Sequence, residues 1–340
     1  MQAITEYLCS DVCLPRNPGT PGGAAARDFL HARIEGLGLT PAGTEGFAQP
    51  IPPIDGTNLL ATIPGRSGRT VLLAAHYDAC GTLNPGADDN AAAVAIVLAV
   101  AEQLAKRSLE RTVLIALFDS EEPPYFLTPN MGSQWFVDHP TVPLDSIETM
   151  IALDLVGHAL GPVGLPDEVR NSVFVLGAEK STGTGAVMDR LPVVDGIVPR
   201  RIDNHVIGSM SDYDAFMNAS VPFLFYTAGR SEHYHAPTDT PDRLDYGKMA
   251  ALSAHLTDLV TALADRPDTP VYVASGFDDA TTVASARSLL DALAPYAPAI
   301  ESLQSIVGDL ELRLAASGAL RTNDRQLLAG LVDQLETSLR

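Results

Sequence analysis

Between Thr70 and Phe118 the chain sets two short apolar runs, TVLLAA and TVLIALF, on either side of AAAVAIVLAVAEQLAKR, a long alanine-rich stretch free of glycine and proline. The runs are strand-length, and the stretch between them has the length and composition of a buried helix. A strand, a covering helix and a second strand in that order close most simply as a βαβ unit with the strands parallel. Further apolar runs at Asn58–Thr62, Met150–Leu153, SVFVLGA from Ser172 and Val221–Tyr226 continue the series. The expected fold is therefore α/β: a three-layer αβα sandwich whose mostly parallel central sheet is covered on both faces.

Upstream, AAARDFLHARIEG (residues 24–36) suits an amphipathic helix closed by Gly36 and Gly38, and residues 41–56 suit an irregular connection. Past Pro267 the texture changes to helix-length leucine and alanine periods broken at Pro295, Pro298 and Gly318. The last period starts at the cap-like Thr322–Asp324 and aligns Leu327, Leu328, Leu331, Val332, Leu335 and Leu339 on one stripe. Residues 1–267 are expected to form the α/β body and residues 268–340 a helical extension that covers the body or pairs with a second subunit.

Charge and composition exclude several function classes. The net charge is −20 and lysine occurs only at 106, 180 and 248, so a nucleic-acid polyanion would be repelled. The longest strongly apolar run, Ala91–Ala101, is too short to span a bilayer. MQAITEYLCSDV lacks a basic start and an apolar core, and three cysteines leave an odd count, so a reducing cytoplasm is the expected compartment. Cys9 and Cys13 would share a face if their segment were helical. Cys80 follows the turn that bears His76 and Asp78, where oxidation or a weak metal contact is open to it, but a small buried residue is the favoured reading.

Potential ligands collect just past the apolar runs, where α/β sheets form their binding crevices. His76 and Asp78 follow the first run; Asp119, Glu121 and Glu122 follow TVLIALF; Asp154 ends IALD; Glu232, His233 and His235 follow Val221–Tyr226. Asp88 and Asp89 stand in PGADDN at the start of the long helix. Taken singly, each is a capped helix, a hydrogen-bonded turn or a solvated loop. Together they are a nitrogen-and-oxygen ligand set suited to zinc, manganese or cobalt, with enough carboxylates to bridge two ions. No GxSxG, GxGxxG or GxxxxGK occurs, and STGTG at 181–185 reads as a turn or pocket rim.

HYD at 76–78, PGADDN at 85–90, FDSEE at 118–122, ALD at 152–154 and YHAPTDT at 234–240 resemble, in order and spacing over roughly residues 20–265, the zinc aminopeptidases of peptidase family M28. RNPGTPGG from Arg16 is similar to that family's opening segment. The resemblance implies a zinc-dependent exopeptidase fold, two zinc ions, and a peptide or small N-terminal amine as substrate. It implies His76 and Asp154 on one ion, Glu122 and His235 on the other, and Asp89 bridging. Glu121 would be the general base and Asp78 the carboxylate that orients His76; Asp212 is also retained.

Two features depart from the aminopeptidase pattern. PPYFLTPNM intervenes between Glu122 and Gly132, over the expected pocket, and Tyr213 stands where many relatives carry histidine. The long loop after FDSEE and LDLVG at 153–157 look like the glutaminyl-peptide cyclases of the same fold. That resemblance implies one zinc on Asp89, Glu122 and His235, with Glu121, Asp154 and Asp212 handling protons and His76 free of metal. A non-catalytic binding domain is the third alternative, although every ligand position holds a competent residue.

Overall fold

The computed structural model describes residues 1–297 and 300–340. Among the described residues nine strands form one sheet: β1 (Thr40–Pro41), β2 (Ala48–Ile51), β3 (Gly56–Ile63), β4 (Thr70–His76), β5 (Thr112–Phe118), β6 (Ile147–Leu153), β7 (Ser172–Leu176), β8 (Val198–Arg201) and β9 (Phe223–Thr227). Their order is β1-β3-β5-β4-β6-β9-β7-β8, with β2 also paired to β3. The centre, β5-β4-β6-β9, is parallel, whereas β3 runs antiparallel to β5 and β7 antiparallel to β9. Residues 64–69, which join β3 to β4, are too few for a parallel crossover, so β3 must reverse.

Alternation along the central strands feeds two cores. Val71, Leu73 and Ala75 of β4 face one side, where they meet helices α1 (Pro21–Gly36), α2 (Ala92–Leu104) and α3 (Tyr246–Ala264). Leu72 and Ala74 face the other, against the short helices Gly132–Asp138 and Tyr213–Asn218. This is the expected covering of both faces, and it follows from the period-two side-chain alternation of a strand.

Helix α1 begins three residues before the expected Ala24, because Thr20 caps it through Gly23 N at 3.0 Å and Pro21 occupies its first position. Gly22 permits this start: a Cβ there would stand 2.4 Å from the Pro15 carbonyl oxygen. The helix before it ends at Leu8, so Cys9 and Cys13 do not share a helical face; Cys13 lies in a separate 3-10 turn.

The C-terminal segment forms α4 (Asp279–Leu293), α5 (Glu301–Ser317) and α6 (Thr322–Leu339). Pro298, expected as a break, lies outside the described residues. The three helices bury their own leucine core and extend it onto Leu160 and Val169 of the α/β body. Leu328, Leu331, Leu335 and Leu339 of the expected stripe are buried, whereas Leu327 is 42% exposed and falls off it. Arg325 grips Asp279 through two bonds of 2.7 and 2.8 Å, tying α6 to α4. Among the described residues no helix is long and apolar enough to cross a membrane.

Candidate functional site

Because β4, β5, β6 and β9 are parallel, their carboxyl ends lie side by side, and each runs into a loop bearing a ligand-type side chain. His76 is the last residue of β4 and is wholly buried. Its Nε2 lies 3.4 Å from Asp89 Oδ1, 3.6 Å from Asp154 Oδ1 and 3.8 Å from Glu121 Oε2. On the far side of Asp89, Oδ2 is 3.1 Å from His235 Nε2, which in turn is 3.1 Å from Glu122 Oε2. One carboxylate thus spans two imidazoles, each with a further carboxylate of its own.

The surroundings fix this arrangement through the backbone. Asp78 faces His76 Nδ1 at 3.2 Å and also accepts from the amides of Glu121 and Glu122, each at 3.0 Å. A single carboxylate therefore orients the imidazole and seats both glutamates. Asp239 does the same for the other side of the site, accepting from Asp88 N at 2.9 Å and Asp89 N at 3.1 Å. Asn90 donates to the Leu153 carbonyl at 2.9 Å, joining the PGADDN turn to the end of β6. Arg16, 1% exposed, donates to the carbonyls of Leu8, Tyr77, Pro85 and Gly86 at 2.6–2.8 Å. Gly86 makes that clamp possible: at φ 61°, any Cβ would stand 2.3 Å from Asp89 O.

Other acidic and histidine residues near the strand ends do other work. Asp119 turns away, accepting from Thr57 N and the Tyr77 hydroxyl. Asp88 faces outward from the ion-pair centre, taking the amides of Gly157 and His158 and lying 2.7 Å from His158 Nδ1. Glu232 is largely solvated, and His233 meets Thr238. Tyr213 is buried in the core against Phe223 and Phe225, its hydroxyl donating to Gly208 O. It does not take the part of a ligand. Asp212 beside it is 1% exposed, and its Oδ1 has no hydrogen-bond partner. STGTG forms a turn in which Ser181 and Thr184 bond each other, away from the pocket.

The charges respond to this crowding. Burial pushes Glu121 well above the carboxylate range; His76 opposes the rise, and Asp154, Glu122 and Asp212 reinforce it. Glu122 is pushed up to about 8 by burial and by Asp89, and Asp212 to about 7 by burial. His235, although burial lowers it, is held up at about 10 by Asp89 and Glu122. His76 is likewise raised against its burial, by Glu121, Asp154, Asp78 and Asp89. Asp89 goes the other way: despite burial, His235 and His76 hold it low. A buried site with this excess of carboxylates calls for positive charge.

The donor set fits divalent cations. His76, Asp89 and Asp154 offer ligand atoms that lie within 4.8 Å of one another, and so do Cys80, Glu122 and His235. His76 Nε2, Asp154 Oδ1 and Glu122 Oε1 are buried without a hydrogen-bond partner, a costly state that a cation would relieve. Above these groups opens a mostly apolar pocket. Pro123 and Phe126 of the inserted loop, Ile207, Met210 and Phe225 of the body, and Leu289, Leu335 and Leu339 of the C-terminal helices line it. Arg230, in the loop that carries His235, grips Glu336 of α6 through bonds of 2.8 and 2.7 Å, so α6 forms a wall of the pocket. The leucine stripe of α6 reads as core in sequence; only the fold reveals that its end faces the site.

A sequence model of peptidase family M28 matches residues 58–260. A probable zinc metalloprotease of Leptosphaeria maculans is 24% identical over 280 residues, covering 69% of this chain and 63% of that protein. This chain thus spans less than two thirds of that relative's length. Among solved structures, the LapA aminopeptidase of Legionella pneumophila superposes with a TM-score of 0.62 at 15% identity, covering 79% of this chain and 73% of the other. A glutaminyl cyclase of Bacteroides thetaiotaomicron superposes at 0.58 and 17% identity, covering 76% and 96%. At these identities the likeness is one of fold.

Proposed function

Because this chain belongs to peptidase family M28, we propose that it is a zinc-dependent aminopeptidase acting on peptides with an apolar first residue. The observation that carries the reading is Asp89 set between His76 and His235, the geometry of a shared ligand for two cations. His76, Asp89 and Asp154 would hold one zinc ion, and Asp89, Glu122 and His235 the other. When bound, the ions supply Lewis acidity toward the scissile carbonyl and the attacking water.

The chain's own groups do the rest. Glu121 lies 3.8 Å from His76 Nε2 without being needed as a ligand, so its carboxylate is free to take the proton of the attacking water and return it to the leaving amine. Asp78 keeps His76 and both glutamates in register. The apolar walls receive the first side chain of the substrate, and the acidic floor attracts its ammonium group.

A second reading, glutaminyl-peptide cyclisation, is favoured by one observation: Glu121, Asp154 and Asp212 are three buried carboxyls, all raised, and Asp212 has a free oxygen. Such a set would relay a proton from the attacking N-terminal amine to departing ammonia. Incubating the zinc-loaded protein with a leucyl anilide and, separately, with a glutaminyl peptide separates the two. Anilide cleavage is expected; ammonia release without hydrolysis would replace the first reading with the second.

A further inference from the structure

Cys80 lies two residues beyond Asp78, in the turn that leaves β4, and is only partly buried. Its Sγ, a carboxylate oxygen of Glu122 and a ring nitrogen of His235 lie within 4.8 Å of one another. Zinc reaches such donors at roughly 2.0–2.3 Å, so small rotations of these side chains bring all three onto one ion. Glu122 supplies an independent pointer: it is 2% exposed, and its Oε1 is buried with no hydrogen-bond partner. On the other side, Asp89 Oδ2 is already 3.1 Å from His235 Nε2.

We propose that Cys80 is a ligand of the second cation, completing an Asp89, Glu122, His235 and Cys80 set of two oxygens, one nitrogen and one sulfur. The proposal rests on the two-cation reading above. Its consequence is asymmetry. Four protein ligands would close the second position in the manner of a structural zinc site, so of the two ions the first, where His76, Asp89 and Asp154 leave room for a further ligand, would supply the Lewis acidity toward substrate and water. The thiolate also biases the second position toward softer ions, zinc over manganese or magnesium. On binding, the Cys80 thiol forms the sulfur–metal bond and releases its proton to solvent.

Cobalt(II) reports the sulfur directly. Metal-free protein loaded with two equivalents should develop a thiolate-to-cobalt charge-transfer band in the near ultraviolet beside the visible d–d absorption. Cys80→Ser should lose the former and keep the latter. Ellman's reagent gives a reading that needs no variant: of the three cysteines, one should become unreactive on metal loading and recover on chelation. Zinc at the weaker-binding position of Cys80→Ser should dissociate at least about tenfold more readily, on the scale by which even outer-shell partners count. Visible cobalt absorption without a charge-transfer band, and with unchanged thiol reactivity, would overturn the proposal while leaving the two-cation reading intact. Failure of cobalt to bind at all would remove both.

Discussion

Asp89 stands between His76 and His235, with Oδ1 3.4 Å from one imidazole and Oδ2 3.1 Å from the other. Its amide is held by Asp239 and its turn by Arg16, so the backbone that carries the carboxylate is fixed from two directions. If it is shared by two cations, Asp89→Asn weakens both sites together. Zinc affinity at each should fall by more than about 100-fold, beyond the 10–100-fold that outer-shell partners are worth. Competition with a chelator measures this; loss at one site only would show that the carboxylate is not shared.

Glu121→Gln keeps the shape of the side chain and removes its ability to accept a proton. Zinc content should be unchanged while kcat falls by about 10²–10⁴, the range for a general base. A steady-state assay beside metal analysis decides it, and retention of kcat would assign proton transfer elsewhere.

The metal-free site should make stability depend on pH in a definite direction. Glu122 is raised to about 8, Asp119, Asp212 and Asp239 to about 7, and His235 to about 10. All are raised, so these groups hold more protons in the folded chain than in the unfolded chain and their contribution to stability falls as pH rises; Lys248, which burial lowers to about 7, opposes that fall above this pH. For the carboxyls the loss runs from about pH 4 to 8, and for His235 from about 6.5 to 10. Melting temperature without metal should therefore drop between about pH 5 and 9. Zinc should raise it most at the alkaline end, because cations take the place of the protons. A flat or rising metal-free profile would contradict these shifts.

Leu335 of α6 lines the pocket although it belongs to the C-terminal segment. Leu335→Ala should lower kcat/KM for a leucyl anilide relative to an alanyl anilide by a factor of about 10–200, the worth of an apolar wall contact. It should also cost about 2–5 kcal/mol of stability, since the residue is 5% exposed in a leucine core. An unchanged preference would mean that α6 does not contact the substrate side chain.

How much of this was legible in sequence depends on how local the cause is. The strands β4, β5, β6 and β9 are apolar runs buried on both faces, and they stand out in sequence. β2 (AQPI) and β8 (VPRR) do not, because edge strands tolerate Pro50, Pro199 and charge. The antiparallel direction of β3 and β7 is a property of connections rather than of strand composition. His76, Glu121, Glu122 and Asp154 could be named because each sits within a few residues of a strand end. Asp239 holding Asp89 from 150 residues away, and Arg16 clamping carbonyls of Pro85 and Gly86, could not. Nor could the turning away of Asp119, which side-chain packing alone decides.

If His76 itself holds a metal ion, its replacement must remove that ion, and zinc stoichiometry in His76→Ala measures the loss. His76 is wholly buried, with Nε2 facing Asp89, Asp154 and Glu121 at 3.4, 3.6 and 3.8 Å and making no hydrogen bond. The protein should bind two zinc ions per chain and the variant one, with anilide cleavage lost along with the missing ion. One zinc ion per chain in both proteins would contradict the two-cation aminopeptidase and leave His76 as a buried neighbour of a single-zinc site.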